Sequence, residues 1–183
     1  WINCNGVSMN NLLESAEELK TYIEDTNIDL WKGTPFEGYV FMSNKNKGSF
    51  GERLLEKLWI RNGDVVIPPT NTGHDRIVNK IKREIKFSLA QTCRKTLQVN
   101  NNVFIMNHVS LGKDWDELYF YGVNRDFTTV EILLTKEDFK KIMSDPNQTY
   151  FKPQQGGKGI NNDDYISSSK NLMELYASKW NRL

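Results

Sequence analysis

An α/β domain, with a mixed central β-sheet flanked by α-helices, is the fold this sequence predicts, on three observations. Residues 75–89 (DRIVNKIKREIKFSL) read as two strands around a tight turn, the second alternating between apolar and polar. Segments 10–24 and 49–61 carry apolar residues at helical spacing. Runs rich in β-branched and aromatic residues at 103–109, 117–123 and 129–134 are then followed by a helical pattern at 136–143.

Taken in order, residues 10–24 repeat Leu12, Leu13, Ala16, Leu19, Tyr22 and Ile23 as one helical face, with Ser8 or Asn10 as the expected cap. Gly33, Pro35 and Gly38 break the segment 31–47, which also holds the basic residues Lys45 and Lys47. Phe50, Leu54, Leu55, Leu58 and Trp59 form the stripe of a helix over 49–61. Ser49 and Glu52 have the spacing of a capping box, and Gly63 supplies the stop. Val65 to Ile67 is extended and leads through Pro68-Pro69 into a Thr-Asn-Thr-Gly turn. The two strands of 75–89 turn at Asn79-Lys80. On the second strand Ile85, Phe87 and Leu89 face one way, and Glu84, Lys86 and Ser88 the other. Thr135 and Asp138 suit the first turn of the helix at 136–143. A polar loop is expected over 145–165, and a last short helix over 169–179.

Composition bounds the class. The 183 residues suffice for one domain with a hydrophobic core, and 38% hydrophobic with 26% charged residues is ordinary for a globular chain. No apolar run approaches the ~20 residues of a membrane span, and no signal-peptide pattern opens the sequence. The two cysteines, Cys4 and Cys93, lie far apart, which suits a reducing cytoplasm better than a disulfide scaffold. His74 and His108 are too few for most zinc sites. The net charge of +1 leaves local placement of Lys and Arg to decide any affinity for phosphate.

The chemistry-bearing constellation is Asp75 with Glu84-Ile85-Lys86. Residues two apart on a strand share a face, so Glu84 and Lys86 project together. Asp75, nine positions before Glu84, reaches the same sheet end if the two arms pair. Two carboxylates suit a hard divalent cation such as Mg²⁺, and a lysine beside them suits phosphodiester hydrolysis by orienting water and offsetting charge. Glu18-Leu19-Lys20 and Asp138-Phe139-Lys140 match the same triplet, but both sit on expected helices, where residues two apart diverge by ~200°. A surface hairpin with alternating charges gives the same local pattern as a metal site.

Residues 48–89, and the later stretch FIMNHVSLGKDWDELYFYGVN, resemble the core of PD-(D/E)xK nucleases of the type II restriction endonuclease kind, over about residues 48–143. In that family a G-x-x-G-E-type helix precedes a hairpin ending in an (E/D)-x-K strand, and a further strand pair follows. The resemblance implies a restriction-endonuclease-like core within one nuclease domain over 1–183, with 145–183 as a possible DNA-recognition region. It implies Asp75 and Glu84 as metal ligands, Lys86 as the catalytic lysine, and Glu52 as an accessory ligand. Gly73-His74-Asp75 stands where many members have Pro-Asp. His74 adjoins the proposed site as a secondary candidate, whereas His108 reads as a half-buried strand residue. Asp114, Trp115 and Asp116 are read as a turn without chemistry.

The expected activity is Mg²⁺-dependent, sequence-specific cleavage of double-stranded DNA, with Mn²⁺ as a substitute cation, by a homodimer paired with a cognate methyltransferase. A repair or recombination nuclease, or a non-catalytic DNA-binding module of the same fold, are the alternatives. Lys45, Lys47, Arg94, Lys95 and Lys113 are the candidates for phosphate contact, and Ser88, on the strand face of Glu84 and Lys86, is a further candidate for DNA contact. Gln154, Gln155, Lys158, Asn161 and Asn162 are candidates for DNA contact on the amide-rich loop, since Gln and Asn can pair with adenine.

Overall fold

The first described helix, α1 (Asn44–Arg61), begins where Ser43 Oγ accepts the N–H of Asn46 at 3.3 Å. A computed structural model describes residues 28–93, 96–153 and 164–180, together with Leu13, Glu14, Glu17 and Glu18, and those four residues are helical. The rest of the helix expected over 10–24 lies outside the described residues. The start of α1 corrects the expectation of a helix from Ser49. Its first turn, Asn-Lys-Asn-Lys-Gly, is polar throughout, so hydrophobic periodicity carries no trace of it. Ser49 is therefore within the helix, and its capping box with Glu52 does not form. Gly51, Leu55 and Trp59 make the buried stripe at four-residue spacing. Gly63 takes φ 90° just past the end, as expected for a glycine stop.

Strand β1 (Val66–Ile67) is short, and β2 (Arg76–Val78) and β3 (Ile81–Leu89) form the expected hairpin. Its two turn residues, Asn79 and Lys80, both have positive φ (51° and 73°), the signature of a tight hairpin turn that follows strand twist. Asn79 Oδ1 accepts the N–H of Val65 at 2.9 Å, which ties the turn to the chain leading into β1. Beyond β3 come a small ribbon, β4 (Thr92–Cys93) and β5 (Gln98–Val99), and then β6 (Ile105–Ser110). Strands β7 (Glu117–Val123) and β8 (Thr129–Thr135) lead into α2 (Lys136–Ser144). Thr135 and Asp138 form the anticipated capping box there, at 3.1 and 3.2 Å. The described chain ends with β9 (Lys152–Pro153), β10 (Asp164–Ser168) and α3 (Ser169–Trp180).

The central sheet has the order β1-β2-β3-β7-β8 and is mixed: β3 and β7 are parallel, with Glu84 opposite Leu118, and the other pairs are antiparallel. The α/β class with a mixed central sheet flanked by helices is thus present. The strand expected at 103–109 is present as β6, but it does not pair with β7. It joins a second sheet, β6-β10-β9, so the two strands are not the adjacent pair the resemblance implied. The segment 145–165, expected as loop, contributes β9 and the start of β10. Phe151, Leu172 and Leu175 are buried in the main core, so this part of the chain is built into the domain. No helix among the described residues is long and apolar enough to cross a membrane.

Two apolar clusters hold the layers together. Trp31, Phe104, Trp115, Phe120, Phe139 and Phe151 are all at most 2% exposed and anchor the larger one. Leu55 and Trp59 of α1 pack on Val78 and Ile85 in the other. Each such side chain contributes roughly 1.5–3 kcal/mol by leaving water. A Cβ on Gly51 would lie 2.3 Å from Phe87 Cβ, so only glycine lets α1 approach β3 this closely. That approach brings Gly48 and Glu52 of α1 to one side of the cleft described next.

Candidate active site

Strand β2 ends its pairing at Arg76, which stands opposite Arg83, so β3 continues past its hairpin partner on that side. Asp75 sits at this fork. Its own N–H donates to Arg83 O at 2.9 Å, and its Oδ2 accepts the N–H of Ile85 at 2.7 Å. The carboxylate thus takes the place of the next strand residue and satisfies a backbone donor that β2 no longer reaches. On the other edge, β7 pairs with β3 in parallel from Arg83 to Leu89.

Asp75, Glu84, Lys86 and Ser88 line one cleft of about 550 Å³, together with Lys47, Gly48 and Glu52 of α1 and Asn107 and His108 of β6. Glu84 is the anchor of this wall. It is 1% exposed, and its Oε1 accepts from two ammonium groups, Lys86 Nζ at 2.8 Å and Lys113 Nζ at 2.9 Å. Its Oε2 is sealed from solvent and accepts no hydrogen bond. A buried carboxylate oxygen without a partner is costly, and a cation is the natural group to satisfy it.

Burial pushes the Asp75 carboxyl up to about 6, and the nearby charges of Glu84 and Glu52 push in the same direction. The N–H of Ile85 and the ammonium of Lys86 pull against that rise. A carboxylate whose charge is disfavoured by burial and by acidic neighbours is one that a divalent cation relieves.

Among the described residues, no three His, Cys, Asp or Glu side chains gather into a metal-binding group. The cleft wall offers a pair of carboxylates, Asp75 and Glu84. It fits Mg²⁺, which takes one or two carboxylates and fills its remaining positions with water and phosphate oxygens. Asp75 and Glu84 are the residues that could hold such an ion.

The other expected site residues divide. Glu52 lines the cleft, with its Oε2 paired to Arg76 Nη1 at 3.1 Å. Lys47 lines the cleft with its Nζ on Val40 O at 3.0 Å, 5.7 Å from the Tyr39 ring centroid. Ser88 donates to Leu89 O at 2.9 Å. Lys45 is exposed on the first turn of α1 and does not line the cleft. His74 is buried, with Nδ1 3.0 Å from Asp114 O and Nε2 accepting from Thr70 N–H at 3.3 Å. Both ring nitrogens are engaged in holding loops together, and His74 does not line the cleft. Arg94, Lys95, Gln154, Gln155, Lys158, Asn161 and Asn162 lie outside the described residues.

The setting of two cleft residues was not visible in the sequence. His108, expected half-buried in a regular strand, is exposed with φ 54°. It lies in a β-bulge where Asn107 and His108 together oppose Ile166, which is what turns it to the cleft. Lys113, a candidate for phosphate contact, also pairs directly with Glu84, a contact the sequence did not suggest. No family model matches the chain, and no curated protein matches it. Among solved structures it is similar to the bacterial homing endonuclease I-Ssp6803I, at 10% identity and a TM-score of 0.38, over 78% of this chain and 99% of the other. A likeness that distant bears neither on activity nor on which residues act.

Proposed function

We propose that this chain is a Mg²⁺-dependent endonuclease for double-stranded DNA, acting in the manner of the PD-(D/E)xK superfamily. The observation that carries this reading is the sealed, unpartnered Oε2 of Glu84 beside Asp75 and Lys86 on the wall of one open cleft. A bound Mg²⁺ supplies charge neutralisation at the phosphate and a more acidic water. Glu84 and Asp75 would hold it, the first oriented by its lysine partners and the second by the N–H of Ile85. Lys86 extends from the same strand face and offers an ammonium to the attacking water and to charge that develops in the transition state. Lys47, Ser88 and Lys113 stand along the cleft as contacts for the DNA backbone.

Sequence-specific cutting by a homodimer, with a methyltransferase protecting host DNA and Mn²⁺ able to replace Mg²⁺, completes the proposal on the strength of the sequence resemblance. Incubation with plasmid DNA and Mg²⁺, with and without chelator, tests it. Discrete fragments are expected with Mg²⁺ and none with chelator. Lys86→Ala should lower the cleavage rate by about 10²–10³-fold while leaving DNA binding in place. Intact plasmid after prolonged incubation with Mg²⁺ or Mn²⁺ refutes the assignment.

A further inference from the structure

Between Asp75 and Gln91, one edge of β3 has no strand beside it. In an extended chain the N–H and C=O of one residue point to one side, and those of the next residue to the other. Even-numbered residues here face β7, since the N–H of Ala90 donates to Val123 O at 2.8 Å. Odd-numbered residues face the opposite edge. There Arg83 O accepts the N–H of Asp75, and the N–H of Ile85 donates to Asp75 Oδ2. At the far end Gln91 donates its N–H to Val103 O at 2.8 Å and accepts from the N–H of Asn100 at 2.9 Å. Leu89 O accepts from Ser88 Oγ, which itself meets the N–H of Ile105 at 3.5 Å, so the start of β6 closes over Leu89.

Phe87 stands in the middle of this gap. β2 stops pairing opposite Arg83, and β6 belongs to the other sheet. Among the described residues, no hydrogen bond meets the Phe87 N–H on this edge. An unpaired main-chain donor in a packed domain is costly, and a ligand that brings an acceptor relieves it. The position is held, because the Phe87 ring packs on Tyr39 and Phe50 with ring centroids 5.8 Å apart in each case. Phe87 lines the cleft that holds Asp75 and Glu84, with Lys47 and Lys86 around it. Both ends of the gap are filled, by Asp75 and by Val103, so an added peptide strand could not run past either. The ammonium groups beside the gap favour an anion, and a phosphate oxygen needs only the donor, where a peptide strand needs donor and acceptor together.

We propose that the main-chain N–H of Phe87 is a phosphate-binding donor, which holds a non-bridging oxygen of the DNA strand lying in the cleft. This rests on the nuclease reading above and adds a contact that no side chain supplies. A donor fixed in a sheet positions the phosphate against Asp75 and Glu84 as well as attracting it.

The test reads amide exchange residue by residue in the full chain by NMR, with Ca²⁺ in place of Mg²⁺ so that duplex is held and not cut. In the free protein the Phe87 N–H should exchange about tenfold or more faster than the Ser88 N–H, which faces β7. A duplex that the wild-type protein cuts with Mg²⁺ should slow Phe87 about tenfold and leave Ser88 as it was, and inorganic phosphate alone should slow neither. A second readout removes the donor itself. Phe87→phenyllactate puts an ester oxygen in place of the N–H and keeps the ring, and it should weaken duplex binding about tenfold. Equal exchange of the two amides in the free protein, no slowing with duplex bound, slowing by inorganic phosphate alone, or full affinity in the ester variant would each overturn the contact and leave the nuclease reading intact. A wild-type protein that cuts no duplex with Mg²⁺ overturns both.

Discussion

Asp75 answers to two opposed demands, since its carboxylate caps the N–H of Ile85 yet sits partly buried beside Glu84 and Glu52. Burial and those neighbours raise its proton affinity to a value of about 6, above that of an aspartate in the unfolded chain. A carboxyl raised in the folded state favours folding fully below its unfolded value, and that contribution is lost as pH climbs through the folded one. For Asp75 the window runs from about 4 to about 6. Asp75→Asn keeps an oxygen for Ile85 and removes the charge. In metal-free protein at pH 7 it should stabilise the fold by roughly 1–2 kcal/mol, a figure discounted for the open side of the cleft, with the gain vanishing below about pH 4. Urea unfolding across that pH range checks the sign, and an Asn variant less stable than wild type at pH 7 would contradict it. The pairing of Glu84 with Lys86 was legible in the sequence because strand alternation is a local property. The second ammonium on Glu84 was not, because Lys113 arrives from 29 positions away through a loop whose path is set by Trp115 and His74.

At the level of elements, the site depends on how closely α1 lies against β3 and on how the β2–β3 hairpin turns. Gly51→Ala would put a methyl group 2.3 Å from Phe87 Cβ, and the helix has to move away. A cost of about 1–3 kcal/mol is expected, read as a lower urea midpoint. Activity should fall with it, because Glu52 on the same helix faces the cleft and is bonded to Arg76. Lys80 holds φ 73° in the hairpin turn, a conformation that a side chain disfavours by about 1–2 kcal/mol. Lys80→Gly should therefore raise stability by up to about 1 kcal/mol with cleavage unchanged. Thermal melting and a plasmid assay on the same sample decide this, and a lower melting temperature would count against the turn assignment. The Asn-Lys turn and the Thr135 cap were readable because each depends on residues a few positions apart. The first turn of α1 was hidden because a polar exposed turn leaves no hydrophobic period. The pairing of β6 with β10 was hidden because no local pattern says which of two sheets a strand joins.

For the whole molecule, cation binding and folding are linked through the same carboxylates. An ion that binds only the folded chain raises its melting temperature by about 3–6 °C for each tenfold excess over the dissociation constant in a domain of this size. Mg²⁺ should do so here, more at pH 7 than at pH 5, since protons compete for Asp75 at the lower pH. Glu84→Gln should remove most of the effect, and a wild-type melting temperature indifferent to Mg²⁺ would speak against a cation at this site. By itself, the sequence determined the α/β class, the β2–β3 hairpin, the shared face of Glu84 and Lys86, and the α2 cap, all of which follow from periodicity and short-range hydrogen bonding. Only the tertiary structure decided that Asp75 replaces a strand neighbour at the fork and that Lys113 shares Glu84. It also decided that His74 braces a loop and that residues 164–176 supply a strand and core side chains to a second layer. These depend on burial and on contacts between distant segments, and the energy that selects them exists only once the layers have packed.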